Sequence, residues 1–508
     1  RYNSAEGSTT VGSILLSNSV QISTSGGRIT LAGTNQTVGG FPTGHAYTAS
    51  ATAGIQLGTS ELSADANVVL NSANGPIEIY GQQAGTGNNA WGVIVRGGST
   101  INSGTNSITI DGKADTYVGN AIELENSTSY PIKILSAKTS GTAISINGVA
   151  TGSVTANNGQ RALYTAGAGL TINASAGGNI SIVGSNAVTQ ATNPGALYFL
   201  GSTDILTSGA GTITIDGGTR GIYMSGTQTL GAAAASTAPS GAITVIADSM
   251  SGSPTIAART TGPVVYESSS ANFSQTFATT NLSFSGAPSS LRIGRTGNNS
   301  AVTLAAGTIS IAGPVTVNAA AITNSATVNT TNSGVITMNG SGAYSGSGAM
   351  SAAGGVAITA TDFSGTGAIS ATGSSGVSII ATSGDVAITA ATSVGTSTSG
   401  KMLLKATNNV TFGNSLTIST NGGAMTFWAD SDSSKSGRIT TGTSDTFTSN
   451  GGNITMAGGA DDGSSTLESG RASGDNVPDG MAWGNGTTQW DLTLKGVGIG
   501  SSTSLSSG

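Results

Sequence analysis

Two places in the chain bring carboxylates close enough in sequence to work as a pair: Asp430-Ser431-Asp432 and Asp461-Asp462. Paired carboxyl groups can divide general-acid and general-base duty across a glycosidic bond. Four Asp side chains with nearby backbone carbonyls can also hold a structural calcium ion. Three of the four tryptophans, Trp428, Trp483 and Trp490, fall in the same stretch. An indole there either stacks on a sugar face or plugs the open end of a hydrophobic core. These seven residues are the candidate ligand or assembly contacts. The carboxylate pairs lack the histidine and Arg/Lys motifs that polysaccharide-cleaving enzymes add to them, so a solvated acidic turn is the plainer reading and no catalytic residue is assigned.

The remaining chemistry-bearing residues give less. His45 is the only histidine; a lone imidazole can act as a base, but Phe41-Pro42-Thr43-Gly44-His45-Ala46 reads as a turn with no nucleophile beside it. Asp111-Gly112 and Asp216-Gly217 each follow a Thr-Ile strand end, where Asp-Gly is ordinary turn chemistry. With no cysteine in the chain, neither a disulfide nor a thiolate metal site is available. None of the glycine doublets ends in the Lys-Ser/Thr of a phosphate loop. No cofactor is expected.

The elements that must position such residues announce themselves by repetition. Gly26-Gly27-Arg28-Ile29-Thr30-Leu31-Ala32-Gly33 returns as Ser107-Ile108-Thr109-Ile110-Asp111-Gly112, as Gly211-Thr212-Ile213-Thr214-Ile215-Asp216-Gly217 and as Gly452-Asn453-Ile454-Thr455-Met456-Ala457-Gly458. Small residues bracket an apolar–Thr/Ser–apolar strand, and self-similarity at a loose period marks a repeat architecture. Between these strong strands lie weaker candidates: Ala121-Ile122-Glu123-Leu124, Ile132-Lys133-Ile134-Leu135, Leu163-Tyr164, Leu197-Tyr198-Phe199-Leu200 and Gly221-Ile222-Tyr223-Met224. Several strands per step of about 30 residues predict an all-β fold, a right-handed parallel β-helix (β-solenoid) with three faces per coil and more elaborate terminal regions. Tandem antiparallel β-sandwiches, with turns every 8–12 residues, are the alternative.

Composition fits a solenoid. Charged residues make up 8% of the 508 and aromatics 5%, while Gly contributes 79; soluble domains average about 25% charged. The surface must therefore be Ser, Thr, Asn and Gly, which can stack in register where charges would repel. A net charge of −6, with basic residues scattered singly, gives no stripe for nucleic acid. No apolar run reaches the roughly 18 residues of a membrane-spanning helix. Starting at Arg1 without Met or a leader, the sequence reads as a mature or excised piece of something longer.

Four stretches are distinguished: 1–100, an N-terminal solenoid or cap region with an insert from Gly33 to Ile55; 101–300, wide coils; 301–410, a slim shaft; and 411–508, the Trp/Asp-rich C-terminal region. Between Ala301 and Gly400 the only charges are Asp362 and Asp385.

The repeats, in phrases such as Gly452-Asn453-Ile454-Thr455-Met456-Ala457-Gly458, resemble those of bacterial haemagglutinin-like and autotransporter-passenger β-strand-repeat surface proteins. That resemblance implies an extracellular, cell-surface location. Coil-like repeats end to end, a charge-poor shaft and no catalytic constellation predict a non-enzymatic structural role as fibre, filament or adhesive stalk. Exposed coil edges predict a second copy of the chain as partner, head to tail or lateral. Surface glycans are a further expected partner, held at an adhesin tip. A polysaccharide lyase or hydrolase on a β-helix is the remaining alternative.

Overall fold

The computed structural model describes residues 2–4, 13–38, 41–48, 53–59, 67–84, 90–115, 119–151, 160–187, 195–389, 393–397, 399–434, 436–460, 478 and 497–507. Among these, the structure is all-β, broken only by a single 3-10 turn at Gly218–Arg220. It divides into two compact units: Arg1–Ser274 with Asn281–Pro288, and Gln275–Thr280 with Ser289–Gly508.

In the first unit the chain cycles through three ranks of parallel strands. Ile108–Ala114, Ile122–Glu125 and Ile132–Ser136 are followed by Thr142–Ala150, which pairs in parallel with Ile108–Ala114. The next two strands, Leu163–Ala166 and Leu170–Ala174, pair in parallel with the second and third of the preceding repeat. Register carries like onto like. Ile29, Ile77, Ile108, Ile144, Ile180, Ile213, Ile243 and Val264 form one continuous buried row. One residue along, Thr30, Glu78, Thr109, Ser145, Ser181, Thr214 and Thr244 make an outward row. The period-2 phrase of the sequence is thus an inside/outside alternation, and each buried aliphatic contributes roughly 1.5–3 kcal/mol.

The second unit repeats the scheme more tightly. Gly355–Ala360, Phe363–Gly365 and Ile369–Ala371 are matched by Gly376–Ala381, Val386–Ile388 and Ser393–Thr396. Val356 meets Val377, only 21 positions on, whereas Ile108 and Ile144 are 36 apart. Two-residue corners such as Thr361-Asp362 replace longer loops. Asp362 and Asp385 sit at these corners: Asp362 Oδ1 accepts from the Asp385 backbone N–H at 3.1 Å, and Asp385 Oδ1 from both Asn409 nitrogens at 2.9 Å. The core here also stacks aromatics. Tyr344 lies on Phe363 in the next strand, ring centroids 4.9 Å apart and nearly coplanar in orientation at 11°.

The antiparallel-sandwich alternative is not met: among the described residues, the pairings are parallel except for the hairpin of Ile29–Val38 with Phe41–Gly44. That hairpin opens the insert expected between Gly33 and Ile55. Asp111-Gly112 also departs from expectation, since both residues lie inside strand Ile108–Ala114 and not in a turn. Asp216 does turn: it ends its strand, and its Oδ1 accepts from the Gly218 N–H at 2.8 Å.

Glycines set the corner into the first rank. A Cβ on Gly75 would sit 2.1 Å from the Gly27 carbonyl oxygen; one on Gly241 would sit 1.9 Å from that of Gly211. In the second unit Gly334, Gly373, Gly423 and Gly452 each face the carbonyl of the glycine one repeat earlier at 2.2–2.3 Å. Successive repeats lie so close at this corner that no side chain fits between them. Gly75→Ala is therefore expected to cost about 1–3 kcal/mol, while Gly27→Ala, whose Cβ would meet only Thr24 at 3.5 Å, leaves the denaturation midpoint within experimental error. Equal midpoints for the two variants would refute the close-approach account.

Burial holds the Tyr344 phenol neutral and pushes its pKa up to about 12. Below pH 10 the phenol is protonated whether the chain is folded or unfolded, so its contribution is fully present there. Above pH 10 the unfolded chain ionises first, and stability falls as pH rises toward 12, by on the order of 2–3 kcal/mol. Denaturant midpoints measured from pH 9 to 12 should show that decline, and Tyr344→Phe should lessen it.

Candidate functional site

Of the residues singled out in the sequence, Trp428, Asp430 and Asp432 fall among those described, whereas Asp461, Asp462, Trp483 and Trp490 lie outside the described residues. Trp428 belongs to strand Met425–Ala429 and is 1% exposed. Its Nε1–H donates to the Gly459 carbonyl at 2.7 Å, and Lys405 Nζ lies 3.7 Å from the ring centroid. The indole is a structural element, with no face open for a sugar. Asp430, also 1% exposed, takes a left-handed backbone (φ 51°) right after the strand. Its Oδ1 accepts from Ser434 Oγ at 3.1 Å and the Ser436 N–H at 3.4 Å, closing the loop that follows. Asp432 is exposed and accepts from the Ser434 N–H at 3.2 Å. Two carboxylates serving one loop explain the clustering. No group of three or more His, Cys, Asp or Glu able to hold a metal occurs among the described residues.

His45 has a partner that the sequence did not suggest. It is 9% exposed, and its Nε2 lies 2.6 Å from Asp111 Oδ1 while Asp111 Oδ2 accepts from Asn147 Nδ2 at 2.7 Å. Tyr80, Asp111 and Asn147 are register partners on three successive strands, and the His45 ring meets Tyr80 edge-on at 5.9 Å. The imidazole thus straps the hairpin insert to the outward row.

The richest constellation lies on the second rank of the first unit. There the register aligns Glu123, Tyr164, Tyr198 and Tyr223 on four consecutive parallel strands. Tyr198 and Tyr223 stack face to face, centroids 4.1 Å apart and 6° from parallel; Tyr164 lies 5.7 Å from Tyr198 at 34°. The Arg161 guanidinium carbon sits 4.7 Å from the Tyr164 centroid and 4.2 Å from that of Tyr198. Aromatic stacking and cation–π contact of this kind contribute about 0.5–1.5 kcal/mol each beyond buried area.

Glu123 closes one end of the column. Its Oε2 accepts from Trp91 Nε1 and, at 2.8 Å, from Asn120 Nδ2. Burial pushes its pKa up, against the opposing pull of those two donors and of Arg96 and Arg161. Arg96 itself is committed to Glu125 in the adjacent strand. Burial likewise raises the Tyr164 and Tyr198 phenols, with Tyr223 adding to the rise at Tyr198.

No residue of this column was selected from the sequence, although its signal was present. Ala162-Leu163-Tyr164, Ala196-Leu197-Tyr198 and Gly221-Ile222-Tyr223 repeat one phrase, with Ala121-Ile122-Glu123 as its acidic version. Read as weak strands, these segments hid the fact that their third residues point the same way.

No protein-family model, no curated protein and no solved structure matches the chain.

A group whose folded pKa is raised gives its full stabilisation below the unfolded value and loses it as pH rises through the folded value. Wild-type stability should accordingly fall from about pH 4.5 upward through the Glu123 titration, by ~1.4 kcal/mol per unit of displacement. Glu123→Gln keeps an acceptor for Trp91 and Asn120 but does not ionise, so its melting temperature should lack that fall. Parallel pH profiles for the two proteins would exclude a desolvated carboxyl.

Proposed function

We propose that this chain is a non-enzymatic, extracellular structural β-solenoid, each unit wound as a right-handed parallel β-helix, serving as a bacterial surface fibre, filament or adhesive stalk. The observation that carries the reading is the parallel, like-on-like pairing of successive strands in both units. Aliphatic rows inside, with hydroxyl and amide rows outside, make a scaffold that grows by adding repeats rather than by enlarging one core. A cysteine-free, charge-poor chain suits life outside the cell without a disulfide framework.

Self-association is part of the proposal. Large hydrophobic side chains exposed among the described residues are Leu15, Ile499 and Leu505. Leu15 lies in the three-residue strand Ile14–Leu16, paired with Ala53–Leu57, and Leu505 in Ser504–Ser506, paired with Thr446–Thr448. Both strands lie in the first and last described repeats and carry apolar side chains into solvent, the condition under which an edge templates another strand. Heterologous contacts of this kind propagate into filaments.

Sedimentation velocity and electron microscopy of the purified chain test this reading. Concentration-dependent filaments are expected, and Leu15→Lys or Leu505→Lys should cut the assembled fraction at least several-fold without lowering the melting temperature. A protein that stays monomeric at all concentrations removes the filament. Release of sugar fragments from a polysaccharide panel would overturn the non-enzymatic assignment.

A further inference from the structure

Arg28 and Arg96 in the first unit pair with carboxylates, and Arg259 donates to the Ser236 carbonyl at 2.7 Å. Arg28 reaches Glu78 with contacts of 2.9 and 3.1 Å, and Arg96 holds Glu125. Arg161 does not follow them. Its guanidinium lies against Tyr164 and Tyr198, donates no hydrogen bond among the described residues, and its Nε is buried without an acceptor. Glu123 is near enough to feel its charge, yet its Oε2 is taken by Trp91 and Asn120 and no hydrogen bond joins it to Arg161 among the described residues. A planar fork of N–H donors, held flat by two rings and spent on no carboxylate, is the arrangement that receives an oxyanion in bidentate fashion.

The column also ends in a way that admits a ring. Tyr223 stacks on Tyr198 on one side; on the other, its register partner is Ser251, and Gly252 follows. Small residues there leave the last phenol without a fourth ring on top of it. A pyranose places its C–H face against an aromatic ring, and its hydroxyls can bond to the phenol oxygens along the column.

From these two features, we infer that the Arg161–Tyr223 column is a binding site for an acidic carbohydrate. A carboxylate or sulfate group of the sugar chain sits on the Arg161 guanidinium, and a neighbouring pyranose stacks on Tyr223.

Isothermal titration of the full chain tests the assignment with three probes: a galacturonate hexamer, a sulfated oligosaccharide of similar length, and neutral cellohexaose. One or both anionic probes should bind, at least tenfold more tightly than cellohexaose, with affinity falling as salt rises. Arg161→Gln should abolish that preference, and Arg161→Lys, which keeps the charge without the fork, should restore only part of it. Tyr223→Leu should weaken the anionic probe at least fivefold while its salt dependence persists. Melting temperatures of the variants separate lost binding from lost fold, and the salt titration of the wild-type chain stands without any variant. Absence of binding by both anionic probes, equal affinity for cellohexaose, or undiminished binding by a folded Arg161→Gln variant would each overturn the site. Filament formation is read independently by sedimentation, so failure of one proposal leaves the other standing.

Discussion

Parallel in-register pairing places every side chain directly above its equivalent in the preceding repeat, about 4.8 Å away, and the rest of the molecule follows from that spacing. Inside, it demands that shapes stack on their like, which the rows from Ile29 to Val264 satisfy with branched aliphatics. Outside, it penalises any charge repeated at the same register position. The chain answers with Thr and Ser rows, and with few charged residues overall. Where a charge does enter a row, the adjacent repeat supplies a complement: Glu78 beside Thr30 and Arg28, Asp111 beside Asn147, Asp385 beside Asn409. The 8% charge content is thus a consequence of geometry rather than a peculiarity of composition.

The same spacing governs the corners. At the turn entering the first rank, backbone meets backbone so closely that only hydrogen fits on Cα, and glycine recurs at Gly75, Gly211 and Gly241. Side-chain hydroxyls finish the corner. Thr24 Oγ1 donates to the Gly27 carbonyl at 2.6 Å and Ser103 Oγ to that of Asn106 at 2.6 Å, satisfying acceptors that the strand ladder cannot reach. Thr330 and Thr396 do the same for Gly334 and Gly400 in the second unit. The Gly-x-Ile-Thr phrase therefore encodes three requirements at once: a close corner, an inward aliphatic and an outward hydroxyl.

Much of the scaffold was legible because these requirements are local. Ile108, Ile144, Ile180, Ile213 and Ile243 stand in one row, as their spacing implied, and the shortened steps after Ala301 correspond to tighter corners. Asp111-Gly112 misled because Asp-Gly is a turn signal only when the strand has ended; here the row continues through Gly81, Gly112, Gly148 and Gly184, with His45 satisfying the carboxylate from 66 residues away. Function was harder to read for the same reason. Trp428 and Asp430 form a cluster in sequence, yet Trp428 is fixed to Gly459 one repeat on and Asp430 to the loop that follows it. The tyrosine column is invisible as a cluster, since Tyr164, Tyr198 and Tyr223 come together only through register. Only a comparison of third residues across the short Ala-Leu-Tyr phrases could have revealed it.

Like-on-like stacking also separates what the scaffold needs from what it does not. A row of tyrosines is a permitted solution, because rings gain from stacking where carboxylates would repel. An arginine whose donors meet no carboxylate is not required by any rule that builds the repeats: Thr or Ser at that place would serve the register equally and leave no buried Nε without an acceptor. Its neighbour Glu123 could have neutralised it, as Glu78 and Glu125 do for Arg28 and Arg96. Instead its Oε2 is engaged by Trp91 and Asn120, and no hydrogen bond joins it to Arg161 among the described residues. Arg28 and Arg96 are paired with carboxylates across repeats, whereas Arg161 rests on an aromatic bed without one, and that is the charge the proposed anion would meet.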